Sequence, residues 1–446
     1  MTFGILYFKN PEWAWGLLLA EIFLGGSGHY LEFLGLSIRT LLIFFFIFLW
    51  LAQLIGDKSL KKIFDIHSHV NYILLILFAL LAMAGINGLV AGHEFRRVVA
   101  DIMPFSFLLL IFPSYYLFAS DKIQEYLVRL IGVFIIGTAI FSVITFILFS
   151  LGITEIHLDF YKWYRDVDMG KITDMGTGFF RIVEPAHILI VPLILIITSL
   201  RMRDEKHNKM WMVLLLASIL ILVLNLSRGY FLALAIGLVV LKFKHSWKMW
   251  IKESITTGLL VILIFTGVHF IASGGTSAGL ELFGMRLQSF TQPTIEVSTN
   301  TRMMILPVIW QTITQNPLLG VGLGATVTFT NLTTYETIVT PQFDWGYLEM
   351  WAEMGIIGAL VLTFLYLFIA YNILAKIKRI HDWHEFDVGI LAGIVAFLIM
   401  NITIPALFHV FGILYLVFAL TIVLKQTSIF DRTTVVLYRV FNRMKS

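Results

Sequence analysis

The 446-residue chain is 59% hydrophobic and only 13% charged, carries a formal net charge of +4 and contains no cysteine. A soluble domain of this length needs more charge to cover its surface, so most of the chain takes a bilayer as its solvent and leaves no room for a separate soluble domain. The missing cysteines exclude disulfides, thiolate metal sites and cysteine nucleophiles together.

The N-terminal run MTFGILYFKNPEWAW lacks the basic region, short apolar core and small-residue cleavage site of a removable signal, so the first apolar segment is expected to stay. Apolar runs approaching the roughly 20 residues that span a bilayer follow one another. They predict spans near residues 12–28, 38–56, 70–90, 102–119, 130–151 and 185–200, then near 211–226, 229–243, 254–272, 346–374, 387–404 and 407–425. The expected fold is an all-α integral membrane protein of about twelve transmembrane helices, a single polytopic domain over 1–446.

Basic residues in short loops set the orientation. With the N-terminus inside, 22 of the basic residues fall inside and 10 outside, and both termini are cytoplasmic. By type the contrast sharpens: 15 Lys and 7 Arg inside, against 2 Lys and 8 Arg outside. Guanidinium offers a rigid fork of donors that matches phosphate oxygens, whereas ammonium is a point charge. An anionic ligand on the outer face is the direct inference; the plainer alternative is that these arginines pair with outer carboxylates such as Glu94, Asp166 and Asp168.

Two outer segments exceed ordinary loop length, 152–184 and 273–345. Within the second, Thr301 to Thr314 has apolar residues at helical spacing and predicts an amphipathic helix on the membrane surface. The run GVGLG (Gly320 to Gly324) reads as a tight turn or, alternatively, as a backbone cradle for a ligand. No metal-ligand spacing, phosphate-binding P-loop, serine-nucleophile motif or internal repeat is visible.

Four constellations could carry chemistry. In FFRIVEPAH, Arg181 and Glu184 share a face if the segment is helical, with Pro185 opening the next helix and His187 adding a third polar group. They are either a structural ion pair or a site. In LSRG, Arg228 is held in a tight turn at a helix N-terminus, where a cation is unfavourable unless an anion such as phosphate joins it. Arg302 opens the predicted surface helix, and Arg286 precedes it in the same outer segment. In FDWGYLEMWAE the acids Asp344, Glu349 and Glu353 re-enter the membrane, where charge is expensive. The neighbouring Trp345, Tyr347 and Trp351 serve either as an interfacial belt or as sugar-stacking platforms.

In these four places the chain resembles the bacterial O-antigen polymerase and ligase superfamily, the Wzy/WaaL-like membrane glycosyltransferases. RIVEPAH is similar to a polymerase-type Arg then Glu-Pro motif, LSRGYFLALAIGL to the family's Ser-Arg-Gly helix start, and TRMMILPVIWQTITQNPLLGVGLG to its Arg, amphipathic helix and Asn-Pro-x-x-Gly-x-Gly run. DWGYLEMWAEMGIIG resembles the family's last motif, except that the ligase histidine and asparagine fall on Asp344 and Trp345. That departure favours a polymerase of repeat units over a ligase. The resemblance implies a GT-C type architecture and an inverting, metal-independent transfer at the outer face of a bacterial inner membrane, with no cofactor. Arg181, Arg228 and Arg302 would neutralise the leaving pyrophosphate of an undecaprenyl-pyrophosphate-linked glycan, and Asp344 would take the acceptor proton, with Glu184, Glu349 and His187 as alternatives. The implied partners are lipid-linked donor and acceptor glycans, membrane lipids and a chain-length regulator protein, with no nucleic acid. A ligase acting on lipid A core is the neighbouring alternative, and a lipid-linked oligosaccharide flippase the alternative of another class.

Overall fold

The computed structural model describes residues 2–25, 32–33, 36–59, 68–117, 121–176, 178–202, 208–288, 297–330, 336–341, 343–379 and 385–425. Residues 426–446, whose end is expected to be cytoplasmic, lie outside them, as does the side chain of Arg286.

The chain opens with α1 (Thr2–Lys9) and α2 (Pro11–Leu24), a two-stranded hairpin β1 (Glu32–Phe33) and β2 (Leu36–Ser37), then α3 (Ile38–Gly56), α4 (Ser68–Val90), α5 (Phe95–Ser106), α6 (Ile111–Leu117) and α7 (Asp121–Ser150). A long connecting segment follows, with α8 (Asp159–Asp166) and the hairpin β3 (Lys171–Asp174) and β4 (Phe180–Val183). Next come α9 (Ile190–Arg201), α10 (Asn208–Asn225), α11 (Arg228–Leu241) and α12 (Trp247–Ala272). The second long connecting segment holds α13 (Leu280–Gln288), α14 (Val297–Gln315) and the hairpin β5 (Val327–Thr330) and β6 (Thr337–Thr340), before α15 (Gly346–Arg379), α16 (Glu385–Met400) and α17 (Val410–Lys425). Each predicted span overlaps a described helix, and six described helical stretches are long and apolar enough to cross a membrane: α3, α4, α5 through α6, α7, α12 and α15. Pro185–Arg201, Lys209–Asn225, Arg228–Leu241 and Val410–Thr421 are shorter apolar helices.

Local chemistry starts and bends these helices. The Asn10 side chain accepts from Trp13 N with Pro11 at the first helical position, while Ser37 and Ser246 cap α3 and α12 in the same way. α15 kinks at Gly355, whose φ of 69° only glycine adopts without strain.

The centre of the bundle is α9, buried along nearly its whole length and packed against α10, α11 and α16. α9 and α16 run antiparallel, and a β-carbon on Gly389 would stand 2.7 Å from Ile196 Cα, the close approach that small residues permit between membrane helices. The loop entering α9 and the loop leaving α16 therefore meet at one end of the bundle. At the opposite end Arg201 Nε meets Glu253 Oε2 at 2.9 Å, and Lys376 Nζ meets Asp387 Oδ2 at 3.0 Å.

Both segments expected on the outer face depart from an all-helical picture. In the first, β3 and β4 pair antiparallel with Thr173 opposite Arg181, and Phe179 and Phe180 seat the hairpin on Phe146 and Phe149 of α7. In the second, the predicted surface helix exists as α14, but its stripe Ile305, Ile309 and Ile313 is buried against Val327, Phe329, Phe343 and Ala352. That stripe packs on the protein and builds a small second core.

Candidate functional site

The loop 401–409, between α16 and α17, gathers the segments singled out by sequence. Arg181 lies on strand β4, not on a helix, and its Nε donates to the Asn225 carbonyl at 2.7 Å, in the turn that ends three residues later at Arg228. Gly229 packs so closely on the loop that a β-carbon would stand 2.5 Å from Thr403 Oγ1. On the loop's other flank a β-carbon on Gly346 would stand 2.5 Å from Asn401 Oδ1 and 2.6 Å from the Ile404 carbonyl. Beside Gly346, Trp345 Nε1 donates to the Arg302 carbonyl at 3.2 Å, and Arg302 Nε stands 3.7 Å from Asp344 Oδ2. Arg181, Arg228, Arg302 and Asp344 thus sit on segments joined through one loop.

The backbone is strained in the same places. Among the described residues the non-glycine positions with positive φ are Lys58, Met169, Leu226 and Asp344. Leu226 (φ 47°) turns the chain from α10 into α11, placing Arg228 at the first position of the helix as the two-residue connection predicts. Asp344 (φ 57°) is itself a candidate. Such conformations are held only by surrounding packing and concentrate at functional sites.

Beneath Arg181 lies a buried polar network. Glu184 caps the 185–189 turn, accepting from Ser142 Oγ at 3.0 Å and from the Tyr164 hydroxyl at 3.4 Å. The Nδ1 of His187 accepts from Asn225 Nδ2 at 3.0 Å, and its Nε2 lies 3.2 Å from Ser142 Oγ and 3.5 Å from Glu184 Oε2. With its accepting nitrogen engaged, His187 orients the Asn225 turn; it is the hydrogen-bonded core histidine and not a free base. Arg181 and Glu184 go to different partners, which replaces the expected shared helical face. Asn225 and Ser142 were not singled out from sequence, although a polar residue in an otherwise apolar span is the signal that finds them.

The acids at the start of α15 separate. Asp344 is half-exposed beside Arg302, while Glu349 is buried and its Oε2 makes no hydrogen bond among the described residues. Glu353 meets Asp101 carboxyl to carboxyl, and a cavity of about 140 Å³ bordered by both and by His409 opens below the loop. The nearby aromatics are tethers: Tyr347 donates to the Leu398 carbonyl at 2.8 Å and Trp351 to that of Pro317 at 2.9 Å.

GVGLG is a brace. The amides of Val321, Gly322 and Leu323 donate to the carbonyls of Ala352, Glu353 and Ala84, and Gly324 N donates to Asp101 Oδ2 at 2.6 Å. Gly322, at φ 99°, lies directly on the backbone of Gly88. With these amides engaged, the run locks α4, α5 and α15 together and cradles nothing.

The arginines expected on the outer face divide accordingly. Arg97 pairs with Glu94 at 3.1 Å and Arg165 with Asp166 at 2.7 Å, both on the surface, where pairing is the plain reading. Arg181, Arg228 and Arg302 belong to the loop cluster.

Residues 212–363 match the O-antigen ligase family. The match supports the resemblance to the O-antigen polymerase and ligase superfamily. Within the ligase-family segment lie Arg228, Arg302, Asp344, Trp345, Tyr347 and Glu349, whereas Arg181, Glu184 and His187 precede it and reach it through the contacts with Asn225. The family carries O-antigen ligase or polymerase chemistry on lipid-linked glycans in a membrane. No curated protein matches the chain.

Proposed function

We propose that the chain polymerises glycan repeat units, transferring a growing glycan from an undecaprenyl-pyrophosphate carrier to the non-reducing end of a new lipid-linked unit. The observation that carries this reading is the assembly of Arg181, Arg228 and the Arg302–Asp344 pair around the 401–409 loop. Asp344 stands at the position where the ligases of the superfamily carry histidine, which favours a polymerase.

In this inverting transfer the acceptor hydroxyl oxygen attacks the anomeric carbon from the face opposite the pyrophosphate. The anomeric carbon–oxygen bond breaks, and undecaprenyl pyrophosphate leaves with the electron pair. Negative charge develops on the leaving group, so guanidinium donors fixed in advance lower the barrier without a divalent metal. The hydroxyl proton goes to Asp344, which is exposed enough to meet an acceptor while Glu184 and Glu349 are buried. Arg302, 3.7 Å away, stands beside that carboxylate without closing on it as a hydrogen bond. The site lies on the outer face of the bacterial inner membrane.

A deletion strain tests the assignment: single unpolymerised lipid-linked repeats support a polymerase, accumulated long chains indicate a ligase, and unchanged glycans sink both. Asp344→Asn, expressed in that strain, is expected to retain binding of the lipid-linked donor and to abolish chain growth. Wild-type growth in this variant removes Asp344 from the mechanism.

A further inference from the structure

Asp344 is the left-handed residue of the turn that leads into α15, at φ 57°, and a non-glycine residue stays in that conformation only where its neighbours hold it. Contacts on both sides do so. Before it, the ring of Phe343 is fully buried in the small second core with Ile305, Ile309 and Ile313 of α14. After it, the Trp345 indole donates to the Arg302 carbonyl at 3.2 Å, tying the turn to the arginine that stands beside Asp344.

A further hold comes from within α15. The Glu349 carboxyl folds back over the turn and accepts from the Phe343 amide, while the Glu349 amide donates to the Trp345 carbonyl at 2.8 Å. One residue thus holds the backbone on each side of Asp344. The first turn of α15 is itself immobilised, because Gly346 lies against Asn401 and the Tyr347 hydroxyl donates to the Leu398 carbonyl. Glu349 therefore transmits the position of a fixed helix to the turn that aims Asp344.

For packing alone Glu349 is a poor choice. It is 8% exposed, and its Oε2 makes no hydrogen bond among the described residues, so one carboxyl oxygen serves the turn and the other is buried without compensation. An unsatisfied buried polar atom lowers stability, and a methionine of similar size would fill the space without one. What methionine lacks is an acceptor for the Phe343 amide. General-base catalysis depends on what that acceptor fixes, because a carboxylate misplaced by about 1 Å can lose roughly a hundredfold in rate.

We propose that Glu349 is a positioning residue of this site, fixing the turn from Phe343 to Trp345 so that the Asp344 carboxylate meets the acceptor hydroxyl. The proposal rests on the reading of Asp344 as the base. It gives Glu349 no proton to carry, only a hydrogen bond accepted by one oxygen.

The test uses the full chain in detergent micelles and, as substrate, the unpolymerised lipid-linked repeat isolated from the deletion strain. Glu349→Met accepts no such hydrogen bond but fills a similar volume and removes a buried carboxyl, so it is expected to unfold at or above the wild-type temperature. Its kcat is expected to fall roughly tenfold to a hundredfold with KM unchanged. Glu349→Gln keeps a carbonyl oxygen for the Phe343 amide and is expected to restore kcat to within about threefold of wild type. Wild-type kcat in Glu349→Met overturns the proposal, as does a raised KM with kcat intact. Equal loss in the methionine and glutamine variants also overturns it, since the ionisable group and not the accepted hydrogen bond would then matter. If Glu349→Met does not fold, Glu349→Asp decides: it keeps the carboxyl on a side chain one methylene shorter, and wild-type kcat there overturns the proposal, whereas a loss with KM unchanged supports it. Failure of the base reading shows separately, as wild-type chain growth in Asp344→Asn.

Discussion

Two arginine–carboxylate pairs at opposite ends of the bundle invite comparison. Arg201 and Glu253 meet at 2.9 Å with side chains 3% and 6% exposed, whereas Arg302 and Asp344 stand 3.7 Å apart at 22% and 47%. The first pair is closed: each charge is satisfied by the other inside the fold, and water is excluded. The second is open, with a guanidinium and a carboxylate near enough to influence each other yet still able to receive something else. A closed pair fixes helices relative to one another, and an open one leaves its groups available to a substrate.

The comparison can be broken or sharpened by substitution. Glu253→Ala buries a guanidinium without its partner and is expected to lower stability by about 3–5 kcal/mol, read as detergent-solubilised thermal unfolding; the double replacement Arg201→Met with Glu253→Leu should restore most of it. If the single variant unfolds like the wild type, the closed pair has no structural role. At the open end the effect moves from stability to rate. Arg228→Lys keeps the charge but loses the fork, and chain growth should fall roughly 100-fold, about 2.7 kcal/mol in the barrier, with little change in unfolding temperature. Full polymerisation in that variant argues against bidentate phosphate binding.

A smaller effect belongs to His245, between α11 and α12, whose Nδ1 lies 2.7 Å from the Leu241 carbonyl. Burial holds its imidazole below the ordinary value, outweighing the hydrogen bond that favours the charged ring. The neutral form is therefore native. Its contribution is fully present above an ordinary histidine pKa of about 6.5 and is lost as pH falls below it, by at most about 1.4 kcal/mol per pH unit. Unfolding temperatures measured from pH 8 to 5 should fall less steeply in His245→Gln. Smallest of all, Asp344→Asn should change stability by less than about 1 kcal/mol, because its pair is half-exposed. A loss comparable to that of Glu253→Ala would show that the open pair is structural after all.

Most helices were legible from sequence because an apolar run of bilayer length has few other fates. Arg228 was legible for a related reason: two residues between α10 and α11 leave it nowhere to go but the first turn of a helix. The strands β3 and β4 were not, since four-residue strands inside a polar loop carry too short an alternation to stand out. Hence Arg181 was expected on a helical face shared with Glu184 and is found on a strand facing Asn225. The network of Ser142, Glu184, His187 and Asn225 spans more than 80 positions of sequence and is created only by packing α7, α9 and α10 together. The burial of Asp168 was hidden for another reason, because it depends on a left-handed turn that no residue type in that stretch announces.

The segment from α8 to β4 is held at both ends, by Tyr164 stacked on Phe141 of α7 and by Arg181 Nε on the Asn225 carbonyl. A chimera that exchanges residues 159–183 between relatives would therefore carry both anchors together, whereas an exchange that splits them would leave one end without its partner.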